Sequence, residues 1–375
     1  MARVLVAPFK HTTGCHCESA TLRDLLEHAG VPLSEAMVFG LDATLGFAYF
    51  DKVGGSATFK YTEFPIFLGG KSGTITSESM ACKILGCTIS MQEFKNADSA
   101  WESSRALLSM GTPLGIQVDM YHLPYFKERF HFGGHVSTLV GYDDEKGAAL
   151  VCERDLPDVQ EVPVGSLKLA RGSKAGDKFM HPNHRQFAIV RRADGKKPPF
   201  ARAAKLALRK VATSMIACSM NFQGIPGLKL LARHLPSWKD ALRGDVVLEG
   251  TGNRVPAGLV TMQMLHGFIE EYGTGGGLFR KLYAEFIEEL LAHDEIARGP
   301  MAWSQAEKDL LAGARDGIRA AGARWSELAA VFKDAMQAGG AGCVDAIDIP
   351  RAGAIVQDII ALEESSFKNL SRITP

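Results

Sequence analysis

The segment His11-Thr-Thr-Gly-Cys-His-Cys-Glu-Ser19 holds two thiols and two imidazoles and runs straight into an apolar pattern of helical spacing, Cys17 to Ala29, that Gly30 stops. Cys17 falls in the first turn of that helix. Unpaired backbone N–H groups and the positive end of the macrodipole point there, and both stabilise a thiolate. The same donors can receive an oxyanion that forms beside the sulfur. Cys15 lies two residues earlier, in the loop, where this help is weaker. An inert buried thiol is the competing reading of Cys17.

A nucleophilic thiol needs a base, and the base needs a third group to orient it. His135 opens a strand-like run, Gly133-Gly-His-Val-Ser-Thr-Leu-Val-Gly-Tyr142. A polar turn, Asp143 to Gly147, leads to a second strand, Ala148 to Glu153, ending at Arg154-Asp155. A hairpin symmetric about Glu145 places position 135 opposite position 155, with Cβ atoms about 5 Å apart. Asp155 is therefore expected to bond the His135 ring, provided the register does not slip by one. A structural His–Asp pair at a strand end is the alternative. The order of the parts resembles that of papain-like enzymes, with an early cysteine on a helix and a histidine more than a hundred residues later on a strand. In such enzymes a side chain just upstream of the cysteine completes the oxyanion hole. His11, six residues before Cys17, is the nearest candidate, with Thr12 and Thr13 as others.

The elements that must position these groups occupy the first half of a 375-residue chain. Helical patterns (Ser77–Leu85, Ser99–Met110) alternate there with strand patterns (Phe47–Phe50, Phe64–Leu68, Pro113–Val118, Gln186–Arg191). Asp194-Gly-Lys-Lys-Pro-Pro199 reads as a linker. Beyond it, helical patterns run through Phe200–Ala217, Leu228–His234, Ala257–Tyr272, Leu278–His293, Ser304–Ala320, Trp325–Gln337 and Pro350–Glu364, with only Val246–Leu248 strand-like. The expected fold class is α+β: a papain-like catalytic domain at 1–195, then an all-α accessory domain at 196–375.

Composition bounds the function. With 46% apolar and 22% charged residues the chain can bury a sizeable core. Lys plus Arg and Asp plus Glu are 42 each, so there is no broad positive field for nucleic acid. No apolar run is long enough to span a membrane. Seven cysteines without framework spacing and no export signal point to free thiols in the cytoplasm.

His16-Cys17-Glu18-Ser19, followed by Leu25-Leu26, Gly30 and Leu33 to Leu41, resembles the N-terminal domain of the butirosin-biosynthesis protein H family, as does Gly134-His135 through Gly141-Tyr142. Asn221 to Gly227 and Gly273 to Arg280 look like the helical domain that often follows it. The namesake protein moves an aminoacyl group from an acyl-carrier-protein thioester to an aminoglycoside amine. The resemblance thus implies nucleophile Cys17, base His135 and orienting Asp155, with His11 and Thr13 supporting the oxyanion. It implies a carrier-protein or CoA thioester donor and a small amine acceptor. A cysteine amidohydrolase or peptidase is the alternative enzyme, and a non-catalytic small-molecule or carrier-protein binder the alternative outside catalysis. A homodimer is compatible with all three.

Other constellations are weaker. The C-x-C spacing of Cys15 and Cys17 is not that of a zinc site, and neither Cys82 with Cys87 nor His181 with His184 supplies a second pair. No metal and no cofactor is expected. Gly250-Thr-Gly-Asn-Arg254 and Gly273-Thr-Gly-Gly-Gly277 precede helices and are candidates to cradle the phosphate of a donor, with Arg280 assisting, although tight turns are the simpler reading. Arg185, Arg191, Arg192, Lys196, Lys197, Arg202, Lys205, Arg209 and Lys210 form a basic stretch, read as a solvated face or as a contact for an acidic carrier protein. The aromatic run Tyr121 to Phe126, with Phe130 to Phe132, is read as lining an acyl pocket or packing under the hairpin.

Overall fold

The computed structural model describes residues 3–51, 65–127, 130–176, 178–247, 252–298 and 300–374. In chain order the strands among them are β1 (Arg3–Leu5), β2 (Leu45–Asp51), β3 (Ile66–Lys71), β4 (Cys87–Gln92), β5 (Leu114–Val118), β6 (His135–Asp143), β7 (Ala148–Glu153), β8 (Leu156–Pro163), β9 (Gln186–Arg191), β10 (Asp245–Val247) and β11 (Arg254–Pro256). The helices are α1 (Cys17–His28), α2 (Glu35–Leu41), α3 (Met80–Ile84), α4 (Ala97–Ser109), α5 (Val164–Gly172), α6 (Phe200–Ile216), α7 (Gly224–His234), α8 (Trp238–Ala241), α9 (Ala257–Glu270), α10 (Arg280–Ala292), α11 (Asp294–Ala297), α12 (Gln305–Met336), α13 (Gly342–Asp345) and α14 (Ile349–Ser371). Phe64, Leu248, Gly250 and Thr251, which carry parts of two expected strands and one expected glycine loop, lie outside the described residues. Among those described, no helix is long and apolar enough to cross a membrane.

The chain forms two compact units, residues 1–38 with 74–198 and residues 39–73 with 199–375. The first is built on an antiparallel sheet in the order β4-β9-β5-β6-β7-β8, with β1 pairing β6 beyond the reach of β5. Every residue of β6 and β7 is buried, which is why apolar residues fall on both faces of each strand. One apolar cluster seats α4 and α5 on the sheet through Trp101, Leu108, Leu167 and Ala170. Another seats α1 and α3 through Leu22, Leu25, Leu26 and Cys82.

The second unit differs from the all-α domain expected of residues 196–375. It takes in residues 39–73 and contains two antiparallel ribbons, β2–β3 and β10–β11. The reason is apolar burial. Tyr49 and Phe47 of β2 are almost wholly enclosed, Phe47 lies 5.6 Å from Trp325, and the Tyr49 N–H donates to the Phe222 carbonyl at 2.9 Å. A β-ribbon with such a face cannot leave the helices that cover it, whatever its place in the chain. The two helices expected at 304–320 and 325–337 are one, α12, opened by a capping box of Ser304 and Glu307.

Candidate active site

Cys17 begins α1, and the loop before it is held by a buried carboxylate. Glu35 accepts from the N–H groups of Cys15 and His16, both at 2.8 Å, and from the Ser19 hydroxyl at 2.7 Å. Gly14 is required beside it, since a Cβ there would fall 2.5 Å from a Glu35 oxygen and 2.7 Å from the Ala20 Cβ. No side chain caps α1, whereas Ser79, Asn96, Ser304 and Asp348 cap α3, α4, α12 and α14. First-turn N–H groups around the sulfur are thus not covered by a side-chain cap and can serve a developing oxyanion.

The His135 imidazole is among the groups that act on the Cys17 thiol. Nε2 of His135 lies 2.9 Å from an oxygen of Glu153, which leaves Nδ1 as the ring nitrogen available to the sulfur. Both partners are buried; Glu153 is 0% exposed and His135 3%. The Ser137 hydroxyl (3.0 Å) and the Tyr125 hydroxyl (3.1 Å) donate to the same Glu153 oxygen, and the Arg154 N–H (2.9 Å) donates to the other. Phe126 closes the far side of the ring, edge to face at 5.5 Å.

The electrostatics follow from this line. Burial alone would raise the Cys17 thiol, but the imidazoles of His16 and His135 bring it down to about 7. Burial alone would lower His135, but the charge of Glu153 and the bond to the sulfur raise it to about 10. Glu153 is buried too, yet His135 and the donors around it hold its carboxyl below the usual range. Near neutrality the arrangement therefore supports a thiolate beside an imidazolium, with a carboxylate behind it.

Asp155, expected as the orienting carboxylate, is not in this line. It is exposed in the turn after β7 and pairs with Arg154 at 3.5 Å. The hairpin register is as anticipated near His135, with Thr138 opposite Cys152, because a bulge between Leu139 and Gly141 offsets the four-residue turn. The error lay at the end of β7. The chain reverses at Arg154-Asp155 into β8, Glu153 pairs with Leu156, and Asp155 is carried outward. Glu153, two residues back, keeps the same face of the strand, and its longer side chain spans the diagonal to His135. The signal in the sequence was β8, whose Pro157 and Pro163 disguise an edge strand.

His11 is not an oxyanion donor either. Its Nδ1 meets Asp24 at 2.7 Å, and its Nε2 meets the carbonyls of Glu153 and Leu156, each at 3.0 Å. All three partners are acceptors, so the ring satisfies them only as an imidazolium. Against the effect of burial, the bond to Asp24 and those carbonyls raise its pKa. Gly14 N–H donates to the Arg154 carbonyl at 2.6 Å, and the Arg154 guanidinium returns a bond to the Cys15 carbonyl at 2.9 Å. The loop before the nucleophile is thus stitched to the turn that ends the carboxylate's strand. Thr13 exposes its side chain and contributes only its carbonyl, which accepts from Arg23 at 3.3 Å.

Arg280 was expected near a donor phosphate. It is instead wholly buried in the second unit, doubly bonded to Glu363 (2.8 and 3.0 Å) and donating to the carbonyls of Gly46 and Leu278. Four of its five N–H donors are committed and the side chain is 0% exposed, so it does not face a ligand. The Gly273–Gly277 turn is also directed inward: the Gly277 N–H donates to the Glu270 carboxylate at 3.0 Å, and that charge opposes a phosphate. In the basic stretch Arg185, Arg192 and Lys205 pair with Glu93, Asp194 and Glu307.

Residues 16–154 match the family model described as butirosin biosynthesis protein H, N-terminal, and residues 165–370 match the domain of unknown function DUF4872. The chain belongs to the family that joins these two domains. No curated protein matches it. A solved structure described as a C39-like peptidase from Bacillus anthracis is similar at 16% identity over 51% of this chain and 99% of that one, with a TM-score of 0.35. Both Cys17 and His135 lie within the first matched segment, as does Glu153.

Proposed function

We propose that this chain is a papain-like cysteine acyltransferase, which takes an acyl or aminoacyl group from a carrier-protein or CoA thioester and passes it to an amine. The observation that carries the reading is the buried line Cys17–His135–Glu153. A thiolate poised near neutrality attacks the donor carbonyl, and the new S–C bond pushes the carbonyl electrons onto oxygen beside the first turn of α1. Collapse breaks the donor C–S bond, and the departing thiolate takes a proton from His135. The amine then attacks the acyl-enzyme, His135 takes its proton, and the amide leaves as the Cys17 thiolate is restored. The name of the matched family supports a biosynthetic setting.

Hydrolysis is the second reading, and the elevated pKa of His135 favours it on one count. An imidazolium present at the moment of attack can protonate the nitrogen of an amide leaving group, which a thioester does not need. The experiment is intact-protein mass spectrometry after incubation with a panel of acyl-pantetheine thioesters. An acyl adduct on Cys17, absent in Cys17→Ala, is the expected result. Added amines then yield amide for a transferase and free acid for a hydrolase. No adduct and no turnover with any donor would overturn the enzyme reading in favour of a binding protein.

A further inference from the structure

We propose that Asp119, His122 and His131 bind one zinc ion at the base of the loop that covers the catalytic pair. Asp119 directly follows β5, whose last residue, Val118, lies opposite His135. It also opens the one-turn 3₁₀ helix Met120–His122. With three residues per turn, positions 119 and 122 stand one above the other. The chain then returns so that the Met120 N–H meets the Phe132 carbonyl at 3.2 Å and His131 comes to lie against Asp119. One ligand atom from each of the three side chains falls within 4.8 Å of the others.

The chemistry of the set is specific. Two imidazoles and one carboxylate suit zinc and neighbouring transition metals, whereas calcium and magnesium prefer oxygen alone. Ligands about 2.0–2.1 Å from a tetrahedral ion stand about 3.4 Å apart, so modest rotation of one partly buried and one exposed imidazole closes the set. The anchor is rigid. Asp119 is 0% exposed, with one oxygen fixed by the N–H groups of Tyr121 (3.1 Å) and Phe132 (3.0 Å) and the other receiving Ser173 (2.6 Å) and His131 (2.7 Å). Among the described residues no lysine or arginine pairs with this buried carboxylate, and its ionic partner is the partly exposed His131. The Tyr121 ring, stacked on His131 at 4.1 Å, supports that imidazole from behind. His122 is partly buried and lies edge-on to His131 at 5.9 Å.

A metal here would clamp both ends of the 119–131 segment, whose middle supplies Tyr125 to Glu153 and Phe126 to His135. The proposal does not depend on the reaction catalysed. It is tested on the full chain carrying Cys15→Ser and Cys17→Ala, so that neither thiol of the loop competes for metal. After chelation and dialysis, Zn2+ is titrated by calorimetry, and Co2+ by absorption. One ion per chain is expected, with cobalt d–d bands and no sulfur charge-transfer band. His122→Ala and His131→Ala should each weaken binding at least tenfold while keeping the parent's circular dichroism, His122→Ala with the parent's melting temperature and His131→Ala with a lower one, because it removes the ionic partner of buried Asp119. Absence of binding, binding by either histidine variant as tight as the parent's, or a sulfur charge-transfer band would overturn the assignment.

Discussion

Removing the charge of Glu153 should cripple the nucleophile, while removing that of Asp155 should not. Glu153 accepts four hydrogen bonds, three on one oxygen and one on the other. In Glu153→Gln one end of the amide carries N–H donors. If its oxygen faces His135, Ser137 and Tyr125, its NH2 meets the Arg154 N–H; turned over, its NH2 meets the His135 N–H, although the two hydroxyls can rotate to accept. The variant also loses a charge-assisted bond worth about 1.5–3 kcal/mol, or about one to two pKa units of support for the imidazolium. That support is passed to the sulfur, because the thiolate exists through the imidazolium. The assay is alkylation of Cys17 by iodoacetamide between pH 5 and 10, followed by peptide mass spectrometry. The parent rate should climb with pH through about 7. In Glu153→Gln the inflection should move upward and the rate at pH 7 fall about ten- to a hundredfold. Asp155 is 45% exposed and bound to Arg154 at the surface, a pairing worth about 0–1 kcal/mol, so Asp155→Asn should stay within about twofold of the parent. Superimposable profiles for Glu153→Gln and parent, or an equal shift in Asp155→Asn, would refute the assignment.

Three further outcomes are expected. His11 holds a raised pKa, so its contribution is complete below the ordinary value of 6.5 and fades as pH rises through its folded value; His11→Gln should cost stability in urea unfolding at pH 6 and progressively less toward pH 9. Gly14→Ala drives a methyl into the Glu35 carboxylate, which should cost about 1–3 kcal/mol in thermal unfolding and slow Cys17 alkylation, since Glu35 holds the two residues before the nucleophile. Arg280→Met leaves Glu363 buried and unpaired, so it should cost about 3–5 kcal/mol, whereas Arg280→Met with Glu363→Leu should recover much of that loss in the same melting assay.

Much of the first unit was legible because its elements obey simple periods. Cys17–His28 shows the helical repeat and a glycine stop, and β6 and β7 are strand-like runs around a polar turn. What escaped was set by tertiary contact. A two-residue turn with prolines in the following strand hid β8, and with it the reversal that discards Asp155. The small residues around Gly322 look like a break between two helices, yet they let α12 pass close to α10, where a Cβ on Gly322 would lie 3.2 Å from the Arg280 Cβ. The transfer of residues 39–73 to the second unit has no local signature, because it depends on which surfaces the Tyr49 and Phe47 rings find to bury against.

The site itself shows why types and spacing located the sulfur and the ring but not the groups that hold them. Position at a helix start and at a strand start are local properties, and each is visible in a dozen residues. Orienting groups are defined by convergence, and His11 illustrates the difference. Its place six residues before Cys17 suggested an oxyanion donor, but both of its nitrogens are spent on Asp24 and on the carbonyls of Glu153 and Leu156. Those bonds connect the loop before the thiol to the end of the strand that carries the carboxylate. A thiolate–imidazolium pair tolerates little drift between its members, since a buried charge that loses its partner is costly. The catalytic line therefore needs a second tie at this join, and an imidazolium that can donate on both sides meets that need where a glutamine amide, with an acceptor at one end, would not.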